Sequence, residues 1–229
     1  MSPSPSPSPA ALPARTLVID SATAACSVAL LEGNTLIGGT FRVLGRGHAE
    51  ALVPMIAQLP ERGKADRIAV ALGPGSFTGV RVGLAAARAL ALAWGAEIVG
   101  YPTLALVAAM AREAFGEGPL DVAMTGGHGE WFVESFDAAG ASTAPLASLK
   151  PDAAAQALTA QRVTGNEAEA LVAARGHGTA QPLLPDARAF AALPTAHLRP
   201  TSARCMAARP MRACPAARCP ASLRTLEHK

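Results

Sequence analysis

With 229 residues, the chain is long enough for one large domain or two small lobes, each with its own core. Half of the residues are hydrophobic, 16% are charged and mean hydropathy is +0.26, which excludes wholesale disorder; only 4% are aromatic, so the core is expected to be Ala, Leu and Val. The formal charge of +3 comes from residues 201–229, where six cations face Glu227; the first 200 residues carry −2 and lack the basic excess of a nucleic-acid binder.

Cysteine is equally lopsided. Cys26 lies in the body, and Cys205, Cys214 and Cys219 lie in the tail. One body cysteine supports no disulfide framework and fits a reducing compartment. The tail spacing fits no compact zinc pattern. The most apolar stretch, Val80 to Val99, is broken by Arg81, Arg88 and Glu97, so no membrane span is expected. No signal-peptide pattern opens the chain, and a soluble cytoplasmic protein is the expectation.

Residues 1–14 read as a solvated Ser/Pro leader. Thr16 to Asp20, Cys26 to Leu31 and Thr35 to Phe41 then read as three strands, with Glu32-Gly33-Asn34 as a hairpin turn. His48 to Leu59 reads as a helix with Leu52, Met55, Ile56 and Leu59 on one face; Pro54 predicts a kink or a late start. Ile68 to Leu72 reads as a buried strand, Gly73 to Gly79 as a loop, and a long helix follows to Trp94. A strand at Glu97 to Gly100 and a helix at Thr103 to Phe115 complete this run. Strands at Leu120 to Thr125 and Glu130 to Phe136 begin a second series. A helix from Asp152 to Leu158, a strand from Arg162 to Thr164 and helices at Glu167 to Ala174 and Asp186 to Leu193 follow. The repeated order predicts a duplicated α/β lobe.

Gly73-Pro74-Gly75-Ser76-Phe77-Thr78-Gly79 joins a strand to a helix, a context in which amides can face an anion. It is not a Walker A loop, because Val80 follows Gly79 where Lys is required. It is not a dinucleotide fingerprint, because Thr78 stands where the third Gly belongs. It is not a nucleophile elbow, because Pro74 and Thr78 flank Ser76. Two readings remain: an anion or nucleotide loop using Gly73, Gly75, Ser76 and Thr78, or a tight turn capped by Ser76 or Thr78.

In the following helix Gly79, Gly83, Ala87 and Ala91 recur every four residues. Interior glycine costs a helix about 1 kcal/mol relative to Ala, so a close approach by another backbone is expected to offset it. The stripe packs either on the sheet of its own lobe or on a partner helix. Val80, Val82, Leu84, Leu90 and Leu92 make the helix apolar nearly all round, which asks for burial on more than one face.

Asp20 ends the first strand. A carboxylate there could approach Mg²⁺ or phosphate, or close an Asx turn. His48 has Leu52 where a second zinc-binding His would stand, so no metal site is assigned. No Ser/His/Asp set and no carboxylate pair assembles into catalytic machinery. Phe132 and Phe136 alternate onto one strand face. Trp131 lies on the other, as a partner anchor or as cover for a lobe junction.

Leu17-Val18-Ile19-Asp20-Ser21-Ala22-Thr23 with Cys26-Ser27-Val28-Ala29-Leu30, then His48-Ala49-Glu50-Ala51-Leu52-Val53-Pro54-Met55-Ile56, then Gly73 to Leu84, together resemble the TsaB (YeaZ) family over about Arg15 to His197. The resemblance implies a duplicated actin-like, Hsp70-like ATPase (ASKHA) fold. It implies residues 15–102 as the first lobe, bearing the dimerisation helices, and residues 103–200 as a degenerate second lobe. It implies a non-catalytic scaffold in the synthesis of N6-threonylcarbamoyladenosine at tRNA position 37. The partners would be a TsaD-type catalytic paralogue and a TsaE-type ATPase, with a homodimer as the alternative, and tRNA would be met only through the complex. No cofactor is implied for this subunit; ATP and Mg²⁺ would enter through the complex. The helices flanking the fourth strand would form the interface, which makes Leu52, Met55, Ile56, Leu59, Gly79, Gly83, Ala87 and Ala91 its candidate residues. The paralogue's metal-binding His pair is missing, which argues against a glycoprotease. The rival readings are an ATP-dependent kinase or hydrolase using Asp20 and the glycine loop, and a stand-alone homodimeric module.

Two departures stand out. Thr125-Gly126-Gly127-His128 replaces the family's Asp-Ala-Arg-like turn, and residues 201–229 replace its usual ending. Cys205-Met206 and Pro210-Met211, read one nucleotide earlier, allow a Tyr and an Asp at the family's spacing, so the tail has two readings, a frameshifted ending or a genuinely divergent disordered tail. Leu226-Glu227-His228 reads as a cloning scar.

Overall fold

The computed structural model describes residues 14–201. The leader before Ala14 and the Arg/Cys/Pro tail, with the frameshift and zinc questions attached to it, lie outside the described residues.

Two mixed sheets are built with one strand order. Strands β1 (Arg15–Asp20), β2 (Ala25–Glu32) and β3 (Thr35–Val43) form an antiparallel meander. The chain then crosses through α1 (His48–Ala57) to β4 (Arg67–Ala71), and through α2 (Phe77–Trp94) to β5 (Glu97–Tyr101). Both β4 and β5 are parallel to β1, giving the order β5-β4-β1-β2-β3. After α3 (Thr103–Phe115) the plan repeats with β6 (Leu120–Thr125), β7 (Trp131–Phe136), β8 (Ser142–Leu149), α4 (Pro151–Ala157), β9 (Arg162–Thr164), α5 (Ala168–Arg175) and β10 (Thr179–Gln181). Its order, β10-β9-β6-β7-β8, matches the first sheet position for position. This is the duplicated α/β lobe of the expected fold class. A two-residue strand, β11 (Arg199–Pro200), brings the chain back to pair with β5.

Burial explains the apolar pattern of β1. Leu17 and Ile19 pack under α1 and α2, while Val18 packs on the opposite face against α3. With both faces covered, the strand reads as a continuous apolar run. Helix α3 lies between the sheets, in one core cluster with Val18, Ala69 and Tyr101 of the first and Leu120, Val122 and Phe136 of the second. It is the helix buried nearly all round, from Thr103 to Ala109 and again at Ala111. The expectation had placed that role on α2, which has one buried stripe instead. Helix α2 is 18 residues long with mean hydropathy 1.2, long and apolar enough to cross a membrane by those measures alone, yet that stripe lies on the first sheet.

In the second lobe, Trp131, Val133, Val163 and Leu171 form a core beneath α4 and α5. Trp131 is therefore internal, and Phe132 and Phe136 share the face toward α3 as their alternation predicts. Asp121 and Arg175 are buried together at 3.4 Å, each side chain 2% exposed. Ser135 Oγ and the Ala160 amide also donate to Asp121, at 2.6 and 2.8 Å. Pro54 lies inside α1, which nevertheless begins at His48 and ends at Ala57.

Candidate functional site

The glycine loop is latched to the turn after β1. The Ser76 amide donates to the Ala22 carbonyl at 2.6 Å, and Ser76 Oγ accepts from the Gly79 amide at 3.2 Å as the helix cap. Ser21 Oγ donates to the Gly79 carbonyl at 2.9 Å. A Cβ at Gly75 would overlap the Ala22 carbonyl, and one at Gly79 would overlap the Ser21 carbonyl. The glycines are required by this backbone approach. The Gly73 carbonyl accepts from the Thr103 amide at 2.9 Å, and Thr78 is exposed in the first turn of α2. The Ser76 and Gly79 amides are thus committed within the chain, and Ser76 caps α2.

The second lobe repeats the latch. The Glu167 amide donates to the Ala123 carbonyl at 3.1 Å, and a Cβ at Gly165 would overlap that same carbonyl. Beside it, the Thr125 amide donates to Asn166 Oδ1 at 3.0 Å and Thr125 Oγ1 to Glu167 Oε1 at 2.6 Å.

Asp20 does not join the loop. Its Oδ1 accepts from the Ala22 amide at 3.1 Å, which is the Asx turn, and its Oδ2 lies 3.2 Å from the Tyr101 hydroxyl. It is 1% exposed, and desolvation raises its pKa to about 7, with the charge of Asp186 adding to the rise. Over this corner lies a segment capped by Asp186, whose 3-10 helix spans Ala187–Ala192. Ser27 Oγ accepts from the Ala187 amide at 2.9 Å, and Phe190 packs on Tyr101. The sequence reading finds the Asp186 element but misses this cluster of Asp20, Ser27, Tyr101 and Asp186. The one tyrosine in the sequence, at the end of an apolar strand, is its only local signal.

The eight interface candidates are turned inward. Leu52, Met55, Ile56 and Leu59 are at most 6% exposed, and Gly79, Gly83, Ala87 and Ala91 form the buried side of α2. All four large residues, with Ala87 and Ala91, belong to the core over Leu17, Ile19, Ile68 and Val70. A Cβ at Gly83 would lie 2.6 Å from Ser21 Oγ. The expectation of a small-residue interface is corrected accordingly: the stripe lets α2 approach its own sheet. Outward, the same helices present Val53, Phe77 and Leu92, which are 60%, 69% and 88% exposed. Arg81 stacks on Phe77, 3.4 Å from the ring centroid.

Comparison with known proteins places this architecture. A family model described as TsaD, tRNA N6-adenosine threonylcarbamoyltransferase, matches residues 41–210, more than half of the chain. The chain belongs to this family. The tRNA threonylcarbamoyladenosine biosynthesis protein TsaB of Escherichia coli is 39% identical over 99 residues, 41% of this chain and 42% of that protein. The tRNA N6-adenosine threonylcarbamoyltransferase of Corynebacterium diphtheriae is 31% identical over 133 residues, 56% of this chain and 37% of that protein. The matched stretches thus span about two fifths of the length of these relatives. The YeaZ structure from Pseudomonas aeruginosa superposes with a TM-score of 0.68 at 27% identity, over 79% of this chain and 90% of that one. These likenesses bear out the TsaB (YeaZ) resemblance carried by the strand, helix and glycine-loop motifs.

Proposed function

We propose that the chain is the non-catalytic, TsaB-like subunit of the machinery that makes N6-threonylcarbamoyladenosine in tRNA, and that it holds a TsaD-type paralogue in its active arrangement. The observation that carries this reading is the outer surface of α1 and α2. The inner faces of both helices are committed to the first sheet, and Val53, Phe77 and Leu92 remain in solvent with Arg81 and Arg88 beside them. Large apolar residues rimmed by cations suit a protein partner. In this reading a TsaE-type ATPase joins the pair, tRNA is met through the complex, and the work is cytoplasmic.

The kinase or hydrolase alternative needs Asp20 and the glycine loop to face a nucleotide together. Their intrachain bonds and the segment above Asp20 weigh against it. We accordingly assign this subunit no nucleotide or metal of its own. The test is light scattering after size exclusion, with the chain alone and mixed with a TsaD-type protein. A 1:1 complex lost on Leu92→Arg supports the proposal. A homodimer unaffected by the paralogue supports a stand-alone module and overturns it.

A further inference from the structure

The Asp186–Leu193 segment is strapped across the ends of β1 and β5. The Ala187 amide is tied to Ser27 Oγ, and the Phe190 and Tyr101 rings lie 5.4 Å apart at 59°. The Arg188 stem rests on β3, where a Cβ at Gly39 would lie 2.6 Å from its Cγ. The Arg188 guanidinium pairs with Asp186 at 2.6 Å and lies 5.7 Å over the Phe41 ring.

Under the strap, Tyr101 Oη lies 3.2 Å from the Ile19 carbonyl and 3.2 Å from Asp20 Oδ2. A tyrosine carries one proton and cannot donate fully to both acceptors. A neutral Asp20 resolves the conflict. Its carboxyl proton goes to Tyr101 Oη, the Tyr101 proton goes to the Ile19 carbonyl, and Oδ1 keeps the Ala22 amide. An ionised Asp20 competes with Ile19 for that one proton and faces the Asp186 charge from a desolvated corner.

We propose that the Asp20–Tyr101–Ile19 chain is a proton-operated latch, which seats Phe190 and holds the Asp186–Leu193 strap closed while Asp20 is neutral and releases the strap when that proton leaves. The groups facing Asp20 are Tyr101 on β5, Asp186 on the strap, where Arg188 pairs with it, and Cys26 on β2, itself influenced by Arg42 on β3. Burial lifts the Cys26 thiol to about 11 and the Tyr101 hydroxyl well above its usual value, so neither titrates near neutrality. The Arg188 guanidinium, held up by its bond to Asp186, stays charged. Asp20, lifted by burial to about 7, places the switch in the neutral range.

Hydrogen exchange of the full-length chain tests the latch at about pH 6 and about pH 8.5, with rates corrected for intrinsic exchange and the β6 and β7 amides as internal reference. In the unmodified protein, protection of residues 187–193 is expected to be lower at about pH 8.5 than at about pH 6, falling by up to about tenfold per pH unit as pH rises to the Asp20 midpoint near 7 and levelling off above it. Asp20→Asn, whose amide can donate to Tyr101 Oη as the neutral acid does, is expected to stay protected at both pH values. Tyr101→Phe is expected to lose protection at both. Protection that is independent of pH in the unmodified protein, or an equal fall in Asp20→Asn, overturns the proposal.

Discussion

Gly83 and Ser21 stand so close that a Cβ on Gly83 would lie 2.6 Å from Ser21 Oγ, the hydroxyl that donates to the Gly79 carbonyl. This approach offsets the weak helix propensity of Gly83. Gly83→Ala is expected to lower stability by about 1–3 kcal/mol, and Ala87→Leu, at a fully buried position, by a similar or larger amount. Urea denaturation measures both. Midpoints unchanged from the parent would contradict the intramolecular role of the stripe.

Asp20 sets a pH dependence of a specific sign. Its folded-state pKa is raised to about 7 by desolvation, against an ordinary carboxyl value near 4. The folded protein therefore holds a proton that the unfolded chain releases. The contribution is fully present below about pH 4, declines as pH rises and is lost above about pH 7. Denaturant titrations across that range are expected to show the decline in the parent and a flatter profile in Asp20→Asn. Identical profiles would remove Asp20 as the cause.

Arg175 and Asp121 form a buried pair whose loss is expected to be costly. Arg175 also donates to the Ala160 carbonyl at 2.6 Å and the Leu158 carbonyl at 3.2 Å. Arg175→Met leaves Asp121 with two donors and no cation, and is expected to destabilise the fold by about 3 kcal/mol. Thermal unfolding reads this directly. A melting temperature within error of the parent would show that Ser135 and the Ala160 amide suffice.

The nucleotide question has its own outcome. A ligand bound only by the folded protein raises its melting temperature in proportion to RT ln(1 + [L]/Kd). With the Ser76 and Gly79 amides and Asp20 engaged internally, Mg·ATP at about 1 mM, a hundredfold excess over a Kd of about 10 μM, is expected to cause no shift. A shift abolished by Asp20→Ala would favour the enzymatic alternative.

Much of the fold was legible because local chemistry agreed with tertiary demand. The meander followed from β-rich runs around Glu32-Gly33-Asn34, and α3 matched its predicted limits of Thr103 and Phe115. Strand β8 escaped notice because Ser142–Leu149 is a half-exposed edge strand containing Pro145, without apolar alternation. Strands β10 and β11 are three and two residues long, too short for any period to register. The Ser76 cap was readable from residue type. The direction of the Gly79–Ala91 stripe was not, because a small-residue face serves a sheet and a partner helix equally well. The Asp20–Tyr101 contact joins residues 81 positions apart and leaves no local periodicity.

In the proposed function α1 and α2 bind a partner through their outer surface and support stability through their inner one. Light scattering of Leu92→Arg mixed with a TsaD-type partner tests it most directly, alongside the melting temperature of the variant alone. Leu92 is 88% exposed, so the variant is expected to melt within about 0.5 kcal/mol of the parent while losing the 1:1 complex. A folded Leu92→Arg that still forms the complex at parental affinity would contradict the account.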